Sequence, residues 1–149
     1  DTRGTAIFNR LFHAFVPYKG DLPGRRTGVL ISNGTGQSVA FALWNLEDRG
    51  PIMIDAGVDI YEGMIIGEHS RDNDLEVNAL KGKQLTNIRT TSKDEAVRLT
   101  TPKKLTLEQS LGYIAEDEYV EVTPKSIRLR KIWLDPNDRK RMSRAAKSA

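Results

Sequence analysis

Tyr119-Val120-Glu121-Val122-Thr123-Pro124-Lys125-Ser126-Ile127-Arg128-Leu129-Arg130-Lys131 decides the fold class of this 149-residue chain. Two alternating segments flank a Pro-Lys turn, so the stretch reads as a β-hairpin. Ile127 and Leu129 are expected to face inward, with Arg128 and Arg130 facing out. The upstream segments fit the same scheme. Gly28-Val29-Leu30-Ile31-Ser32 is a short apolar strand that stops at the turn signal Asn33-Gly34. Pro51 to Asp55 reads as another strand, followed by a turn at Ala56-Gly57. Gly63-Met64-Ile65-Ile66-Gly67-Glu68-His69 is a buried strand bracketed by glycines. Leu75, Val77 and Ala79 alternate with Glu76 and Asn78, and lead into a basic loop from which Ala96-Val97-Arg98-Leu99 returns.

Helices are inserted between these strands. Gln37 to Arg49 carries Val39, Ala40, Leu43, Trp44 and Leu46 at helical spacing, and Gly50-Pro51 ends it. Thr106 and Gln109 form a capping box, with Leu107, Leu111 and Ile114 as the expected inner face. Asp135-Pro136-Asn137-Asp138 opens a helix whose continuation, Arg139 to Arg144, has almost no apolar face and needs a partner to be well ordered. Near the start, Thr5 to Phe15 reads as a strand with Ile7, Leu11, His13 and Phe15 on one face, His13 packing at a core edge. Two prolines and two glycines between Pro17 and Arg26 mark a linker. Two units follow, 1–24 and 25–149. The fold class is α+β, a small antiparallel sheet or barrel with two to three helices. The chain begins at Asp1, not Met, and is expected to be cut from something longer.

The net charge of +3 conceals a strong segregation. Residues 1–105 hold 14 basic and 13 acidic side chains, and 106–124 hold 5 acidic and none basic. Residues 125–149 then hold 9 basic against 2 acidic. Within the neutral part, Lys81, Lys83, Arg89 and Lys93 fall together with no acid between Asn78 and Lys93. Two basic patches separated by an acidic stretch suit a polyanion-binding surface. The chain has no cysteine, which excludes disulfides, thiolate metal sites and cysteine nucleophiles. No apolar run approaches the roughly 18 residues of a membrane-spanning helix, and no membrane partner is expected.

No phosphate-cradling Gly-x-x-x-x-Gly-Lys-Ser/Thr loop occurs in the sequence. Asn33-Gly34-Thr35-Gly36 reads as a plain strand-to-helix turn. His69, Asp72 and Asp74 have the ligand types of an oxygen-rich metal site, but a surface loop is the better reading. Glu116-Asp117-Glu118 reads as a solvated turn. The basic loop differs in kind, since its cations can meet phosphate while Thr86, Asn87, Thr90 and Ser92 hydrogen-bond phosphate or sugar. With few apolar anchors, Asn78 to Glu95 is expected to be mobile in the free protein.

Gly28-Val29-Leu30-Ile31-Ser32, the run Tyr61-Glu62-Gly63-Met64-Ile65-Ile66-Gly67-Glu68-His69-Ser70-Arg71-Asp72-Asn73-Asp74-Leu75, Leu85-Thr86-Asn87-Ile88-Arg89, Asp94-Glu95-Ala96-Val97 and Leu105-Thr106-Leu107-Glu108-Gln109 resemble, in order, the C-terminal part of the BipA/TypA translational GTPases. Val120 to Lys131 matches as well, and the resemblance runs from about Asp1 to Arg141. It implies that Asp1-Thr2-Arg3-Gly4-Thr5 belongs to the last strand of a ferredoxin-like domain shared with elongation factor G. It implies a cytoplasmic GTPase whose GTP- and Mg-binding domain lies upstream. This portion would act on the ribosome in large-subunit assembly and stress adaptation, touching large-subunit rRNA and the acceptor end of A-site tRNA. In the matching loop Lys81, Lys83 and Arg89 are the corresponding cations, while Gln84 stands where members often carry a second lysine.

The expected RNA contacts are therefore Lys81, Lys83, Arg89 and Lys93 on the loop, and Arg128, Arg130 and Lys131 on or just after one strand. Arg139, Lys140 and Arg141 on the last helix complete the set. A monomer with no catalysis and no cofactor of its own is expected. The competing reading is a protein-interaction domain that docks a basic partner through Glu116 to Glu121. A hydrolase built on His69, Asp72 and Asp74 stands behind both.

Overall fold

β1 (Val29–Ser32) is buried along its whole length, every residue 2% exposed or less, as an interior strand covered on both faces must be. The computed structural model describes residues 9, 11–17, 25–82 and 98–148. Around β1 lie β4 (Met64–Glu68), β5 (Leu75–Val77), β6 (Glu118–Val122) and β7 (Ile127–Lys131) in the order β5-β1-β4-β7-β6. A minor sheet pairs β2 (Gly36–Gln37) with β3 (Asp59–Ile60). The helices are α1 (Ala40–Leu46), α2 (Leu107–Tyr113) and α3 (Pro136–Ser148).

The α+β class holds, but the main sheet is open and mixed, neither closed as a barrel nor wholly antiparallel. The β1–β4, β4–β7 and β7–β6 pairs are antiparallel, whereas β5 runs parallel to β1. The chain leaving β4 passes around the start of β1 and returns on its far edge. Gly28 permits this crossing, because a Cβ there would sit 2.1 Å from the Asn73 carbonyl oxygen. The Gly28 N–H donates to the Arg71 carbonyl at 2.7 Å and closes the crossover.

Alternation of side chains gives the sheet two packed faces. Leu30, Met64, Ile66 and Val77 meet Leu43 of α1, with Ile52, Ile60 and Ala79 beside them. On the opposite face Val29, Ile31, Ile65 and Leu129 meet Tyr113 and Ile114 at the end of α2. The β1–β4 register shifts between Leu30 and Ile31, where Ile66 is the extra residue on β4.

Several elements differ locally from expectation. α1 starts at Ala40, because Gly36 and Gln37 are taken by β2 and the Ser38 hydroxyl bridges the Asp55 carbonyl and the Val58 N–H, each at 3.0 Å. Glu47–Arg49 tightens into a 3₁₀ turn that ends at Gly50. Gly50 has φ +145°, and a Cβ there would lie 2.1 Å from the Glu68 carbonyl oxygen. Between Pro51 and Asp55 only Ile52 bridges the sheet, to Gly67. The inner face of α2 is Ser110, Tyr113 and Ile114, while Leu107 and Leu111 stay exposed. Residues 11–17 form no strand, and His13 is exposed rather than packed at a core edge. None of the described strands pairs with this segment, so its Leu11 and Phe15 stand open. The expected mobility of Asn78 to Glu95 bears mainly on residues 83–97, outside the described residues.

The capping box on α2 is complete. Thr106 Oγ1 accepts from the Gln109 N–H at 3.3 Å, and Gln109 Oε1 accepts from the Thr106 N–H at 2.9 Å. Thr106→Ala removes one half of this exchange and is expected to cost about 1 kcal/mol of stability in urea denaturation, with the m-value unchanged.

Candidate nucleic-acid interface

The register of the β6–β7 hairpin sorts its charges onto two faces. Glu118 pairs with Lys131 and Val120 with Leu129, on the α2 side of the sheet. Tyr119 pairs with Arg130 and Glu121 with Arg128, on the α1 side. Lys131 follows Leu129 at a period of two and so turns inward with it, whereas Ile127, expected to face inward, is exposed beside the hairpin turn.

The inward pair is the centre of a buried ionic cluster. The Lys131 ammonium lies 2.6 Å from Asp74, 2.8 Å from Asp117 and 2.9 Å from Glu118. Glu118 also receives Arg25 through two guanidinium nitrogens, at 2.7 and 2.8 Å, and the Ala115 N–H at 3.0 Å. Glu118 and Lys131 are each 2% exposed. Burial alone would raise the Glu118 carboxyl, but the hydrogen bonds from Arg25, Ala115 and Lys131 outweigh it and hold the group below the usual carboxylate range. Burial would likewise lower Lys131, and Asp117, Asp74 and Glu118 together push it above its ordinary value. Arg25 closes the cluster from outside, with its guanidinium 4.7 Å from the centre of the Tyr113 ring.

Two sequence expectations change here. Lys131, expected among the RNA contacts, is turned inward instead: its ammonium is buried and its donors are taken by three carboxylates. Glu116-Asp117-Glu118 is a solvated turn only in part, since Glu116 is exposed while Asp117 and Glu118 are counter-charges to Lys131. The signal for Lys131 was present in the sequence, in its place on the same alternation as Ile127 and Leu129.

The other cations divide by what already engages them. Arg139 donates to the Trp133 carbonyl at 3.0 Å, to the Leu134 carbonyl, and to Glu76 at 3.2 Å, so it tethers α3 to β5. Arg141 is exposed and pairs with Asp138 one turn back, at 3.0 Å. Lys140 is exposed, lining the groove between α3 and the β1–β5 edge with Asp74, Glu76 and Asp117. Lys81 is exposed at the mouth of the basic loop, beside Phe41, Asn45 and Asn78. Lys81 and Lys140 have no carboxylate partner among the described residues. Arg128 and Arg130 are half-buried on the open side of the hairpin. Lys83, Arg89 and Lys93 lie outside the described residues.

Of the hydrolase candidates, His69 and Asp74 have structural roles and Asp72 is exposed. His69 is buried rather than on a surface loop, and its Nδ1 meets the Asn73 carbonyl. Asp74 accepts the Val29 N–H at 3.0 Å as well as meeting Lys131. Among the described residues no group of histidine and carboxylate side chains is arranged to hold a metal ion. No helix among them is long and apolar enough to cross a membrane.

Residues 27–136 match the TypA/BipA C-terminal domain, a span that holds both faces of the sheet and the ionic cluster apart from Arg25. The chain belongs to the TypA/BipA family. It is 52% identical over 148 residues to a protein of Haemophilus influenzae named large ribosomal subunit assembly factor BipA. Proteins of the same name from Buchnera aphidicola and Escherichia coli are 54% and 53% identical, over 96% and 98% of this chain. The chain spans 24% of the length of each of these relatives.

The ionic cluster sets the pH response expected of this TypA/BipA domain. A carboxyl held below its unfolded value stabilises the fold above about pH 4.3 and loses that contribution as pH falls through its folded value. A lysine held above its unfolded value stabilises below about pH 10.4 and loses that contribution only as pH rises through its folded value. Stability from the cluster is therefore flat across neutral pH and declines in acid. Glu118→Gln leaves Lys131 and Arg25 without their shared charge and is expected to cost about 3–5 kcal/mol at pH 7. The cost should shrink towards pH 3, as read by urea denaturation at both pH values.

Proposed function

We propose that this chain is the ribosome- and tRNA-contacting C-terminal domain of a BipA/TypA-like translational GTPase that acts in large-subunit assembly and stress adaptation. It performs no catalysis itself. GTP and Mg are held by an upstream domain of the parent, and the setting is the cytoplasm, with the domain monomeric. The observation that carries this reading is identity of 52–54% along nearly the whole chain to proteins named as large-subunit assembly factors.

The charge distribution supports it. Lys81 stands exposed where the chain enters the basic loop, and Lys140 and Arg141 stand exposed on α3. Exposed cations on separate elements suit a polyanion with phosphates spread over a folded surface. The competing protein-docking reading needs a free acidic segment, but Asp117, Glu118 and Glu121 are engaged within the fold. Lys83, Arg89 and Lys93 remain part of the proposed contact on sequence grounds, with Lys81 as their described neighbour.

Each cation that meets one phosphate adds about 0.7–0.9 to the slope of log affinity against log salt. Lys81→Ala combined with Lys83→Ala is therefore expected to weaken pelleting with large ribosomal subunits and to flatten that slope by up to about 1.8. Thermal unfolding should be unchanged. Glu116→Ala, which removes an exposed carboxylate outside the buried cluster, should leave binding equal or slightly stronger. Binding of the lysine variant like the parent at two salt concentrations would remove the loop from the interface.

A further inference from the structure

On the α1 side of the hairpin, β6 and β7 contribute no member to the hydrophobic cluster beside them. β4 and β7 share a register in which Met64 meets Arg130 and Ile65 meets Leu129. The cluster built on Leu30, Met64 and Ile66 therefore continues in space towards Arg130, yet none of its buried members comes from β6 or β7. In their place stand Tyr119, Glu121, Arg128 and Arg130. Tyr119 is 49% exposed, a large ring displayed on a rigid paired strand.

The surroundings hold that ring in place. The Arg130 guanidinium lies 5.5 Å from its centre and stacks over it as a cation on a π-face. Glu121 accepts the Tyr61 hydroxyl and lies 4.0 Å from Arg128, so the neighbouring charges are positioned too. Lys125 is exposed at the hairpin turn. With Arg128 and Arg130 it gives the patch three cations against the one carboxylate of Glu121.

We propose that this open half-sheet binds an unpaired stretch of RNA, with one base stacked on Tyr119 and the adjoining phosphates met by Arg128, Arg130 and Lys125. The proposal deepens the RNA-contact reading above and rests on it. Paired RNA hides its base faces within the stack, whereas an unpaired base offers a π-face that an exposed aromatic on a sheet can take. Arg128 and Arg130 are two residues apart on one strand, roughly 7 Å, a spacing that lets each meet a separate phosphate of the same strand. Glu121 tempers the patch's charge, so the ring and not charge alone distinguishes base from backbone.

Anisotropy titrations of the full chain test this, using a labelled single-stranded RNA and an abasic ribose–phosphate strand of equal length. Tyr119→Leu is expected to weaken single-strand binding on the order of tenfold with the salt slope unchanged, and Tyr119→Phe to restore it. Neither substitution should alter binding to the abasic strand. Equal affinity of Tyr119→Leu and the parent for the single strand overturns the stacking proposal. If the lysine pair on the loop still shows its salt effect on the large subunit in that case, the broader RNA reading survives. If the parent binds no RNA while a poly-glutamate peptide binds in a Tyr119-dependent way, the patch is a protein site and both readings fall.

Discussion

A lysine ammonium buried at the heart of a small domain constrains everything around it. Lys131 is desolvated, and it is tolerated only because three carboxylates converge on it from two segments of the chain. Glu118 lies across the hairpin, Asp117 precedes β6, and Asp74 comes from the crossover into β5. Arg25 then balances Glu118 from beyond the sheet, 93 residues away in sequence. A one-residue slip of β7 would place Lys131 on the open side and Arg130 beneath α2, leaving Glu118 buried without its lysine. The cluster thus acts as a register pin, penalising wrong pairings more than it stabilises the right one.

The pin also explains why the acidic stretch does not form one continuous acidic surface, with Glu108 and Glu116 exposed but Glu118 buried. Residues 106–124 carry five acids and no base, and 125–131 carry four bases and no acid. Folding lays the second segment against part of the first as adjacent antiparallel strands, so that Glu118 opposes Lys131 and Glu121 opposes Arg128. What survives as outward field is the excess that this pairing does not absorb, on the loop mouth at Lys81 and along α3 at Lys140. Linear charge segregation and surface charge segregation are therefore different things in this protein.

Local chemistry was legible in the sequence wherever a short-range device specified it. The Thr106–Gln109 box, the Gly50 helix stop, the Asp135 cap and the hairpin about Pro124-Lys125 all depend on residues a few positions apart. Long-range relations were less readable. Nothing within Leu75–Val77 indicates that β5 would pass β1 and lie parallel to it on its far edge, because that choice is made by backbone clearance at Gly28, remote from the strand itself. The apolar stripe of α2 misled in the same manner. Leu107 and Leu111 have helical spacing, yet Ser110 is the buried residue, its hydroxyl satisfied by the Thr106 carbonyl at 2.8 Å. The cations were legible as a set from composition, but not which of them the fold would consume. Arg139 looks like Lys140 in a sequence and only its partners separate the two, whereas the alternation of β7 marked Lys131.

The division between consumed and available cations gives the domain a logic of construction. Charges that fix register and helix docking are buried or multiply bonded, so salt screens them little. The cations of the proposed contact at Lys81 and Lys140 are exposed and strongly screened. A domain built this way can weaken or tighten its hold on a charged surface as ionic conditions change, without altering its own fold. The hairpin shows both uses on one strand. Lys131 is fixed on the inner face by three carboxylates, while one residue earlier Arg130 backs an exposed tyrosine ring on the outer face. The pleat that separates them also couples them, since any distortion that freed Lys131 would turn the Arg130–Tyr119 pair away from the surface it presents.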